Sequence, residues 1–80
     1  MTVTFVPVQL ASSVGDEDGR LAFVDGRLVA ILCRLGAFHG EQAGEWNLET
    51  AFGGLPERVN TPFATLDIAE RWILGRRSPA

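Results

Sequence analysis

Two side chains in this sequence could supply a nucleophile and a base near neutral pH: its single cysteine, Cys33, and its single histidine, His39. A thiol attacks only as the thiolate. It therefore needs a base within hydrogen-bond reach and a cation or helix N-terminus that lowers its pKa. Cys33 instead lies within LVAILCRL, the most apolar run of the chain, where a thiol is ordinarily core filler. No glycine-rich phosphate loop, HExxH pair, GxSxG elbow or CxxC pair accompanies it. The chain reads as a non-enzyme, and no catalytic, cofactor-binding or metal-binding residue is assigned.

Three further groupings invite chemistry. Asp16-Glu17-Asp18 suggests a calcium loop, but the next ligand position is Arg20, and the required glycine and late glutamate are missing. Acids on such a loop are expected to be solvated. Arg20, Arg27 and Arg34 recur every seven residues, a spacing that suggests a nucleic-acid surface. In a hairpin, however, Arg27 falls at the turn, and Arg20 and Arg34 are expected on opposite faces. The formal charge of −3 also disfavours sequence-independent binding to phosphates. Trp46 and Trp72 could stack a base or a sugar, yet both fall on faces expected to be core, where they could pack together.

These residues are positioned by the stretch Leu21 to Leu35, two apolar runs hinged on Asp25-Gly26. Asp-Gly between apolar runs is a strong hairpin signal, because both central residues of a type I′ turn need positive φ. In the simplest register one face carries Ala22, Val24, Val29, Ile31, Cys33 and Leu35. The other carries Leu21, Phe23, Leu28, Ala30 and Leu32. A second arm that is apolar on both faces is the pattern of a central strand covered on both sides.

Around this hairpin the remaining elements follow. Val3 to Leu10 reads as a strand, with Pro7 confining it to an edge. Ala11 to Gly19 reads as a loop, and Gly36 to Gly44 as a flexible connection. In Glu45 to Phe52 the residues Trp46, Leu48, Thr50 and Phe52 alternate with Glu45, Asn47, Glu49 and Ala51, predicting one buried and one wet face. After an irregular crossing, Thr65 caps a helix over Leu66 to Leu74, with Leu66, Ala69, Trp72 and Ile73 inward. Asp67 and Arg71 are spaced to pair along this helix, and Gly75 could take the C′ position. Thr61-Pro62 offers an earlier start.

The expected fold is α+β: a small antiparallel sheet of three to four strands, in the order β-β-β-β-α, packed by one C-terminal helix. Eighty residues make a single domain, 1–80, with residues 76–80 as a flexible tail. An apolar fraction of 46% and a charged fraction of 21% are those of a globular chain. No apolar run approaches the ~20 residues of a membrane span. The opening segment lacks the basic region of a signal peptide, so a cytoplasmic location is expected. One cysteine excludes an internal disulfide, leaving packing or self-association to supply stability.

A lone helix covers one face of a sheet, and the second arm of the hairpin is apolar on both. The leading functional expectation is thus a small non-enzymatic protein–protein interaction domain, a homodimer being one form of it, with Val29, Ile31, Cys33 and Leu35 as its interaction surface. A nucleic-acid-binding module using the sheet face is the second reading, since some DNA-binding modules combine a sheet with one helix. No cofactor is expected, and neither the partner nor the biological process is legible.

Overall fold

The computed structural model describes residues 2–11 and 18–76. Four strands form one antiparallel sheet in chain order: β1 (Thr4–Gln9), β2 (Asp18–Val24), β3 (Arg27–Arg34) and β4 (Trp46–Ala51). A single α-helix, α1 (Leu66–Arg76), follows. This is the α+β architecture and the element order expected from the sequence.

The β2–β3 turn is made as its residues require. Asp25 has φ 53° and Gly26 φ 77°, the paired positive values of a two-residue hairpin loop, and Val24 lies opposite Arg27. Beyond the turn the expected register fails. Phe23 pairs with Leu28 but Ala22 pairs with Ala30, leaving Val29 without a partner on β2. One unpaired residue in a strand shifts every later side chain to the other face. Ala30 and Leu32, expected beside Phe23, therefore join Ala22 and Val24, and all four are at most 1% exposed. Val29 is itself turned into this core at 2%.

A second irregularity does the same to β4. Leu32 pairs with Leu48 and Ile31 with Thr50, so Glu49 has no partner on β3. The strict alternation expected over Trp46 to Phe52 holds for Trp46 and Leu48 and then inverts. Ala51 is buried opposite Ala30, while Phe52 is 46% exposed.

Helix α1 packs on the face that carries Ala22, Ala30, Leu32 and Leu48. Ala69 and Ile73 are fully buried, and Leu66 and Trp72 pack against the same core. Its start is capped as expected: the amide of Ile68 donates to Thr65 Oγ1 at 3.2 Å. The earlier start does not form, because Phe63 pairs with Trp46 as an isolated antiparallel bridge. Nor do Asp67 and Arg71 form an ion pair, although each lies on α1. Gly75 lies within the helix and does not terminate it; Arg76 is helical too, and residues 77–80 lie outside the described residues.

Two loop expectations also change. β2 begins at Asp18, two residues inside the expected loop, because Asp18 and Gly19 pair with Gln9 and Val8 of β1. Cross-strand pairing overrides a composition that reads as a turn. Between β3 and β4, residues Ala37–Gln42 form short 3₁₀ turns meeting at Gly40, where φ is 65°. β1 is an edge strand, the position that tolerates Pro7. The amide of Val3 donates to a Glu70 carboxylate oxygen at 2.8 Å, tying the start of the sheet to the helix.

Ile73 is the largest helical side chain that is wholly enclosed, so Ile73→Ala should lower stability by roughly 2–4 kcal/mol. Urea unfolding followed by circular dichroism measures this, and a loss below about 0.5 kcal/mol would contradict the packing described.

Candidate interaction surface

The pairing across the sheet defines its two faces row by row. On the helix side run Phe5, Ala22, Ala30 and Ala51, and beside them Pro7, Arg20, Leu32 and Leu48. On the opposite side runs a row of Val6, Leu21, Ile31 and Thr50, one residue from each strand. Thr4, Phe23 and Leu28 flank it toward the turn, and Val8, Gly19, Cys33 and Asn47 flank it toward the other end. Leu21, Phe23, Leu28 and Ile31 are each half-buried, and Val6 is 38% exposed. Among the described residues, no helix or strand packs on this side, and none of its residues belongs to the main core cluster.

The exception lies at one end. The side chain of Leu10 sits directly over Gly19, whose missing Cβ would lie 2.8 Å from Leu10 Cδ1. Gly19 is the partner of Cys33 in the ladder, and Cys33 is 4% exposed there. Its thiol points weakly at the carbonyl of Arg34, 3.7 Å away. A thiol so enclosed gives a bulky electrophile little access. His39 lies in the 3₁₀ segment, its ring centroid 4.3 Å from that of Phe38.

The four residues expected to form an interaction surface are thus divided. Ile31 lies in the middle of the open face. Val29 is turned into the helix-side core by the unpaired position it occupies. Cys33 is on the open side but covered, and Leu35 is 9% exposed. Leu21, Phe23 and Leu28, assigned by the simple register to the face opposite Ile31, share its face instead. Alternation alone could not have found them, because the bulge is invisible to it.

The arginines are rearranged by the same shift. Arg20 and Arg34, expected on opposite faces, both reach Asp18: Arg20 Nη1 lies 2.7 Å from Oδ1, and Arg34 Nη1 lies 4.0 Å from Oδ2. Of the acidic run only Asp18 is among the described residues; Asp16 and Glu17 lie outside them. Arg20 also donates to the Gly19 carbonyl at 2.8 Å, and its guanidinium carbon lies 4.8 Å from the Trp46 ring centroid. It roofs the core where the helix does not reach, with its stem on apolar surface and its charge held by Asp18. The two indoles do not pair with each other. Phe63 links them instead, exchanging main-chain hydrogen bonds with Trp46 and packing its ring 5.4 Å from that of Trp72.

Among the described residues the rows of the open face carry no arginine; Glu49 stands at the β4 edge, where Asn47 Nδ2 donates to it at 2.7 Å, and Glu57 and Arg58 line a cavity along that edge. Among the described residues no three metal-ligating side chains come together, and no helix is long and apolar enough to cross a membrane. In comparisons with known proteins, no family model, curated protein or solved structure matches the chain. The class these observations define is structural: a four-stranded antiparallel sheet with one face under a helix and one apolar face open.

Removing the roof over Trp46 has a readable consequence. Arg20→Ala should shift the Trp46 emission to longer wavelength and cost roughly 1 kcal/mol of stability. An unchanged emission maximum and unchanged urea midpoint would show that Arg20 does not shield the ring.

Proposed function

We propose that the chain is a small non-enzymatic protein–protein interaction domain that pairs with a second copy of itself through its open sheet face. The observation that carries this reading is the row Val6, Leu21, Ile31 and Thr50, which crosses all four strands on the side without a helix. The apolar side chains of that row, Val6, Leu21 and Ile31, lose contact with water together when a flat, complementary surface covers them. A second copy supplies such a surface, and two-fold pairing places each row against itself without juxtaposing cations. Aligned sheet-on-sheet packing is a geometry that antiparallel sheets adopt readily.

The area sets the strength. Four strands about 4.8 Å apart, each about seven residues long at about 3.4 Å per residue, give a footprint on the order of 450 Å² per copy. Two copies then bury on the order of 900 Å², below the ~1,200 Å² of stable interfaces and in the range of weak, transient ones. An interface of that size fits a weak, reversible dimer. The same face is unsuited to duplex DNA, since its rows carry no arginine and Arg58 at its β4 edge stands among Glu49 and Glu57.

Sedimentation velocity should show a monomer that converts to a dimer as concentration rises from low micromolar to submillimolar. The melting temperature should rise over the same range, because association stabilises the folded state. Leu21→Lys combined with Ile31→Lys should abolish both effects while circular dichroism reports the same fold. Val6→Glu, at the more exposed edge position, is the milder variant if the double substitution unfolds the chain. A wild type that stays monomeric throughout, or a folded variant that still dimerises, would overturn the reading.

A further inference from the structure

Away from the open sheet face, on the helix side, α1 and the irregular segment before it enclose a groove of about 590 Å³. One wall is a ladder along α1: Ile68, Trp72 and Arg76 are spaced four residues apart, so they stack on one flank of the helix. Ile68 is 42% exposed and stands one turn from Trp72. The floor is aromatic, with the rings of Phe63 and Trp72 tilted 55° to each other. The guanidinium of Arg76 lies 5.7 Å from the Trp72 ring centroid, and Arg58 stands on the facing wall.

Two features point to what fits there. No aspartate or glutamate lines the groove, although acids outnumber arginines ten to seven in the chain. Among the described residues neither Arg58 nor Arg76 has an ion-pair partner. The groove is thus a positive strip with an apolar floor in a molecule of net negative charge. The second feature is the wall from 56 to 62, where among the described residues no main-chain group bonds other main chain, leaving the N–H groups of 57–61 and the carbonyls of 56–62 available; pairing resumes at Phe63, with Trp46. Main-chain donors and acceptors standing free beside an apolar strip are what an extended peptide can use.

We infer that this groove binds a short acidic peptide segment bearing one apolar anchor. The anchor packs on Ile68 and Trp72, and carboxylates on either side meet Arg58 and Arg76. Arginine is suited to this task, since its planar fork pairs with carboxylates and stacks on an aromatic ring at once. Two arginines are too few for a nucleic-acid strand, whose phosphates need a continuous basic track. An open trough also leaves much of a compact small molecule in water, whereas it matches a peptide laid along its length.

The test is selection from a random twelve-residue peptide display library against the immobilised full chain, followed by anisotropy titration of the enriched peptides. Enriched peptides should share an apolar residue flanked by aspartate or glutamate, and their binding should weaken as salt rises. Arg58→Glu and Arg76→Glu, both at exposed positions, should each reduce affinity at least tenfold without altering the circular dichroism spectrum. The Leu21→Lys, Ile31→Lys variant, which removes the proposed dimer face, should bind these peptides as the wild type does. Peptides without acids, equal affinity for the arginine variants, no enrichment at all, or binding lost only in the sheet-face variant would each overturn the inference. Salt-resistant binding of inorganic phosphate at the same arginines, in place of peptide, would overturn it too.

Discussion

One residue without a partner on the neighbouring strand β2 sets the distribution of side chains in this protein. At Val29 strand β3 carries one residue more than β2 can pair, and the pleat on either side of it is out of phase. In a strand with a polar face the consequence would be costly, since a one-residue shift drives polar groups into the core. Here nearly every residue from Leu28 to Cys33 is apolar, so either phase can be buried. The bulge is accommodated because the sequence around it is indifferent to which side each residue takes. A second unpaired residue, Glu49, realigns β4 and puts Ala51 into the core opposite Ala30.

With that phase, small residues line up under the helix. Ala22, Ala30 and Ala51 form a cross-strand row on the helix side, and Ala69 and Ile73 of α1 complete the same core. The larger aliphatic and aromatic side chains, Leu21, Phe23, Leu28 and Ile31, are left on the far side. The same shift brings Arg20 and Arg34 together on Asp18, and Arg20 closes the end of the core that an eleven-residue helix cannot reach. Core composition, open face and arginine placement are thus one consequence of one register.

The two surfaces proposed for partners differ in kind. The sheet face is broad and nearly uncharged, suited to a like surface. The groove beside α1 is narrow, aromatic and positive, suited to a chain of opposite charge. They are built mainly from different elements, and the segment around Arg58 and Val59 borders both the groove and the β4 edge of the sheet.

Much of the architecture was legible in the residues alone. Asp25-Gly26 specified a hairpin because few other dipeptides accept positive φ twice in succession. Thr65 and the stripe of Leu66, Ala69 and Ile73 specified the helix and its inward side. Pro7 marked an edge strand, and a lone helix implied that one sheet face would lack a helical cover. These are local properties, written in side-chain and backbone chemistry within a few residues. Tertiary structure alone decided which apolar residues occupy that uncovered face, because a bulge is a relation between strands and leaves no mark in an all-apolar run. It also decided the groove, which sets Arg58 and Arg76 on the walls of one trough although eighteen positions separate them in the chain. Neither position carries any local sign of the other, and only the packing of Phe63 between Trp46 and Trp72 sets the two walls face to face.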